Sequence, residues 1–209
     1  MLDIHPPHET VHTWRDFFIH IATIVIGLLI AVSLEQTVEF IQHRHSANEA
    51  RKNIHEETSS DIDMLHFNLQ QLDKSRQQLE SDLDALNSST SDADIPAHLE
   101  YTWKLGKEPD AAWQAAKIDG SLALIPPAQI GRASYFYDSN DNLTPTLFAY
   151  FADVDTAAAI VDHARSTRTL TPPERQQLVS RTESALGYAR LLTRLYEYRS
   201  HVFDPGHRR

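Results

Sequence analysis

One apolar stretch near the N-terminus, Phe17 to Leu34, constrains this chain more than any other feature. It contains no Asp, Glu, Lys or Arg. As an α-helix rising about 1.5 Å per residue, roughly 18 residues reach ~27 Å, enough to cross the hydrocarbon core of a bilayer. Nothing else in the sequence approaches that length. The chain therefore reads as membrane-anchored. It has a polar, His-rich tail over 1–13, a transmembrane helix with its flanks over 14–40, and a helical soluble domain over 41–209. Trp14 stands where an interfacial aromatic would stand. Glu35, Glu39 and Gln42-His43-Arg44-His45 mark the return to water.

Ala31-Val32-Ser33 has the small-x-small form of a signal cleavage site, but the segment before the stretch is not strongly basic, since Arg15 is followed at once by Asp16. An uncleaved anchor is expected. Asp3, Glu9 and Asp16 precede the span against Arg15, whereas Arg44, Arg51 and Lys52 follow it. The positive-inside bias then places the soluble domain in the cytoplasm.

Within the stretch, Thr23, Gly27, Ala31 and Glu35 recur every four residues and line one helical face. Three of them are small and permit close backbone approach, as in small-xxx-small membrane interfaces. This stripe is the expected helix-docking face, its partner a second copy or another membrane subunit. The lipid bilayer takes the opposite face, with Ile24 and Leu28.

The remainder holds one domain of ordinary size. Only 6 glycines and 41% hydrophobic residues favour helices over a β-sandwich. The net charge of −10 and the lack of a basic tract argue against nucleic acid as a partner. The absence of cysteine excludes disulfides and thiolate metal sites.

An all-α fold follows from the periodicity. No Pro or Gly lies between Leu34 and Ser88, which predicts one long helix leaving the membrane. Ile62, Leu65, Leu69, Leu72, Leu79, Leu83 and Leu86 step by three and four, with Arg76 in the polar slot. Asp73, Glu80 and Asp82 flank this seam without lysines to match them in a parallel copy, so the seam is expected to face its own domain. Asn87 to Asp92 is a loop. Short helices are predicted over Pro96–Leu105 and from an Asp110 cap through Trp113, Ala116 and Ile118 to a break at Gly120. Pro126-Pro127 restarts a helix through Tyr135 and Phe136. Asp138-Ser139-Asn140-Asp141-Asn142 reads as a loop, and Thr144-Pro145 opens a helix through Phe148, Phe151, Val154, Ala158 and Val161. The last helix starts at Thr171-Pro172-Pro173-Glu174 and runs to about Ser200. Its seam of Leu178, Thr182, Ala185, Ala189, Leu192 and Tyr196, and its five arginines, match the acidic long helix. The two are expected to pack antiparallel.

Few motifs carry chemistry. His8-Glu9-Thr10-Val11-His12 has the zincin form H-E-x-x-H, but it sits on a terminal tail rather than in a domain that brings a third ligand. His12, Asp16 and His20 share a helical face, with His20 bonded at the membrane edge. His43 and His45, two apart, diverge on a helix and do not form a site with His55. Trp113, Tyr135, Phe136, Tyr137, Phe148, Tyr150 and Phe151 read first as core, and otherwise as a ligand pocket. No catalytic residue, cofactor or metal site is assigned.

Trp14-Arg15-Asp16-Phe17-Phe18-Ile19-His20-Ile21-Ala22-Thr23, continuing through Ile26-Gly27-Leu28-Leu29-Ile30-Ala31, resembles the start of a group of uncharacterised bacterial membrane proteins. These share one N-terminal span, a charged helix after it and a helical soluble domain. Ala112-Trp113-Gln114-Ala115-Ala116, with Gly120 and Leu122-Ala123-Leu124, is similar to their middle. The resemblance implies a bacterial inner-membrane setting. The functional expectation is a non-enzymatic scaffold or accessory subunit of a larger membrane assembly. A membrane-anchored helical sensor of a small ligand is the alternative, and a zinc hydrolase using His8, Glu9 and His12 a remote one.

Overall fold

The computed structural model describes residues 14–88, 96 and 98–204. Among them every regular element is helical: α1 (Trp14–Ser88), α2 (Ala111–Ile118), α3 (Pro127–Thr167) and α4 (Pro172–Phe203), with a 3-10 turn at Ser121–Leu124. The chain divides into two units, one ending at Glu49 and one starting at Ala50.

In the first unit α1 carries the apolar stretch. It is the one described helix long and apolar enough to cross a membrane, and the side chains of its most apolar window are not buried. Its hydroxyls are satisfied within the helix. Thr23 Oγ1 donates to the Ile19 carbonyl at 2.9 Å, and Ser33 Oγ to the Leu29 carbonyl at 2.6 Å.

The second unit is held by three long helices. α3 and α4 are the tightest pair. Ala157 and Ala164 on α3, and Ala185 and Ala189 on α4, are fully buried, and their small side chains let the backbones approach. Arg181 and Ser184 of α4 both bond to Asp153 of α3, and Arg199 near the end of α4 bonds to Ser139 early in α3, so the two run antiparallel. α1 and α4 are also antiparallel: Arg175 reaches the Leu86 carbonyl, Asn68 the Tyr196 hydroxyl, and His66 the Asp204 carboxylate. The seam thus faces its own domain. Leu65, Leu72, Leu79 and Leu86 are its buried centre, and Arg76 stays half-exposed between Asp73 and Glu80. Leu72→Ala and Leu79→Ala should each cost ~2–5 kcal/mol in chemical denaturation, through lost burial and the cavity left behind. Losses under ~0.5 kcal/mol for both would show a seam open to solvent.

Three sequence expectations are corrected. Asp138 to Asn142 is not a loop, and Thr144-Pro145 does not open a helix. α3 runs unbroken across both, with Pro145 inside it. Asp138, Asp141, Asn142 and Pro145 all lie on the solvent side, while Tyr137, Asn140, Leu143, Leu147 and Tyr150 carry the buried stripe through at helical spacing. Packing along that stripe outweighs local turn propensity. Nor are the described residues of Pro96–Leu105 helical: residues 99–110 form a strap without regular structure. Elsewhere punctuation holds. Gly120 takes a left-handed φ of 77° and ends the α2 region. Thr171 and Glu174 form the reciprocal capping box that starts α4.

Candidate functional site

The strap explains where the polar chemistry of the domain lies. An irregular backbone buried against helices leaves its N–H and C=O groups without a ladder, and each needs a partner. α1 carries a polar column, and Asn68 of that column meets the strap. Asp61, Asn68, Ser75 and Asp82 recur every seven residues beside the buried leucines. Three of the four are fully buried and Ser75 is half-buried. The Asn68 amide clamps Gly106, accepting from its N–H at 2.9 Å and donating to its carbonyl at 2.7 Å. Asp82 accepts from Gln78 at 2.9 Å. From the other helices, Arg165 donates to the Leu99 carbonyl, and Thr182 bonds to the Tyr101 hydroxyl at 2.7 Å. Leu99, Tyr101 and Leu105 then plug the core from the strap side.

At the end of the strap these contacts converge on a buried ionic cluster. Glu108 and Arg199 are almost fully inaccessible and pair at 3.1 Å. The Arg199 guanidinium also donates to Ser139 Oγ and lies 4.6 Å from the Phe136 ring centre. Burial pushes the Glu108 carboxyl above its ordinary range, against the pull of Arg199. Glu57 accepts the Ala112 and Trp113 N–H groups and the Tyr137 hydroxyl. Glu57 thereby caps α2, whereas Asp110, the expected cap, makes no side-chain capping bond. Asp61 sits among these groups, fully buried, with neither carboxylate oxygen hydrogen-bonded. Desolvation first, then the charges of Glu57 and Glu108, raise its pKa from 3.8 to about 7. Acids outnumber Arg199 here, and a proton on Asp61 lowers the buried charge.

Beside this cluster lies a partly open cavity of about 410 Å³ between α1, α3 and the end of α4. Its floor is apolar: Ile54, Ile62, Ile125, Ile130 and Phe203. Arg51, His55 and Arg132 also line it, and among the described residues no acid does. Arg132 Nη2 donates to the Phe203 carbonyl, which fixes it at the C-terminal end of α4.

The residues singled out from sequence fall elsewhere. Thr23, Gly27, Ala31 and Glu35 are exposed on α1, and a Cβ built at Gly27 would meet nothing within 4 Å. Each four-residue step turns about 40° past a full circle, so the stripe winds around the helix rather than running straight. The His20 ring is bonded to the Asp16 carbonyl of its own helix at 2.7 Å. His43 and His45 pair locally with Glu39 and Glu49. His8, Glu9 and His12 lie outside the described residues. Among the described residues, no group of three or more His, Cys, Asp or Glu is placed to hold a metal ion. Of the aromatic residues, Phe136, Tyr137 and Tyr150 are core and Trp113 stacks on Tyr137 at 4.9 Å, while Phe148 and Tyr135 are exposed. Sequence reasoning missed the column and the cluster, although the seven-residue recurrence of Asp61, Asn68, Ser75 and Asp82 was there to be read.

Comparison with protein-family models, with curated proteins and with solved structures finds no match to this chain.

Proposed function

We propose that this chain is a non-enzymatic, single-pass membrane protein, a scaffold or accessory subunit of a larger assembly in a bacterial inner membrane. One observation carries the reading. From Phe17 to Leu34, α1 displays an apolar surface around its whole circumference, with no part of its most apolar window buried. Water would penalise that surface at about 25 cal/mol per Å², and a bilayer removes the penalty. The intrahelical bonds of Thr23 and Ser33 suit the same environment. In the second unit Asn68 and Arg165 hold the strap, and Glu57 caps α2. The positive-inside bias of Arg44, Arg51 and Lys52 supports a cytoplasmic domain. An active C-terminal alkaline phosphatase fusion would reverse that orientation.

Thr23, Gly27, Ala31 and Glu35 are the proposed docking face for a second copy or another membrane subunit. Gly27→Ile puts a branched side chain where backbones would meet. The variant should insert normally yet lose its oligomeric size or its co-purifying membrane chains in mild detergent. Unchanged size and unchanged partners would remove the stripe from the assembly. Recovery of the wild-type chain in the soluble fraction would remove the anchor itself.

A further inference from the structure

The cavity beside the ionic cluster lies wholly in the second unit. Ile54, Ile62, Ile125, Ile130 and Phe203 give it an apolar floor, and about 410 Å³ falls within the size range of small-molecule sites. A hydrocarbon body would leave water on that floor.

The charged groups in and around the cavity are already engaged. Arg132 donates to the Phe203 carbonyl, and Arg51 has an interaction partner within the protein. Glu57 holds α2 and Tyr137, and Glu108 is paired with Arg199. A carboxylate ligand would have to displace one of these partners, beside a cluster in which acids outnumber the arginine. A cationic ligand would meet two guanidiniums and no acid among the described lining residues. An uncharged ligand incurs neither penalty. The polar lining also selects its headgroup. Thr58 Oγ1 already donates to the Ile54 carbonyl at 2.7 Å, so what it offers a ligand is an acceptor. Ser59 and Gln129 line the same cavity and can accept as well. The matching group on the ligand is a hydroxyl, which donates.

We propose that this cavity binds an uncharged aliphatic alcohol, its hydrocarbon chain on the isoleucine and Phe203 floor and its hydroxyl against Thr58, Ser59 and Gln129.

The test uses the full-length chain in zwitterionic lipid nanodiscs and a 1-octanol carrying a diazirine on its chain. After photolysis, mass spectrometry locates the labelled residues. The expected result is saturable labelling of residues 51–62 and 125–133, competed by 1-octanol but not by octanoate or octylammonium. Label over 17–34 reports partition into lipid and should not saturate. Ala133→Phe puts a ring into the cavity and should weaken the saturable labelling by about tenfold, with the helical circular dichroism unchanged. Ser59→Trp, at an exposed lining position, should do the same, and decides the matter if Ala133→Phe does not fold. Several outcomes overturn the proposal: no saturable labelling of these segments, equal competition by octanoate or octylammonium, or labelling indifferent to the folded variants.

Discussion

Asp61→Asn should stabilise the helical domain, and the gain should grow with pH. The Asp61 carboxyl is fully buried without a hydrogen bond, faces Glu57, Glu108 and Asp110 against Arg199, and titrates at about 7 rather than 3.8. The folded state thus keeps a proton that the unfolded chain releases in acid. A group of this kind leaves stability intact below its unfolded pKa, erodes it as pH rises toward 7, and has no further effect above that. Each pH unit of that window is worth about 1.4 kcal/mol, so roughly 2–4 kcal/mol separates variant from wild type at pH 8, and much less at pH 4. Asp82, buried and raised to about 6 chiefly by desolvation, acts with the same sign and leaves a residual slope below pH 6 in the variant. Denaturant titrations at pH 5 and pH 8 check this. Equal midpoints for the two proteins at pH 8 would mean that water reaches Asp61.

Arg199→Met should be the most damaging single substitution near the strap. It leaves Glu108 in a site almost without solvent contact and removes the bond to Ser139 and the stacking on Phe136. Breaking a buried pair from one side costs about 3–5 kcal/mol, because the remaining charge has no counterpart. The loss should shrink at pH 5, where Glu108, already raised by burial, takes a proton more readily. Adding Glu108→Gln should recover a large part of it, since the orphaned charge is then gone. Strict additivity of the two single costs at pH 8 would show that Glu108 and Arg199 are not coupled.

Both effects arise where sequence reading was weakest, and the reason is physical. Apolar periodicity reports which side chains leave water, so the leucines of α1 were legible as a core face. It assigns polar residues to the outside by default. Asn68 breaks that rule because a non-helical strap lies against it, and the strap's peptide groups need polar partners; Asp61 and Asp82 are buried on the same column. The strap in turn could not be foreseen. Pro96 to Leu105 was expected to be helical, and its irregular path is held by Asn68, Arg165 and Thr182, which come from three different helices. The cavity is of the same kind, assembled from residues 51 to 203 with no local motif.

Local signals decided the punctuation. The Thr171–Glu174 capping box, the restart at Pro126-Pro127, the break at Gly120 and the charge-free run from Phe17 to Leu34 are set within a few residues of chain, and each stands in the fold as a helix start, a turn or an exposed apolar surface. Where a local signal met a long-range one, the long-range one won: Asp138 to Pro145 spells a turn, yet its buried neighbours on α3 pack against α1 and α4 and carry the helix through. By itself, then, the sequence determined helical class, a membrane-length apolar segment and the core face of α1, because these follow from short-range periodicity and solvent transfer. Only the tertiary structure decided which polar residues are buried and where the strap and the cavity lie, because those depend on what the chain brings together from more than a hundred residues apart.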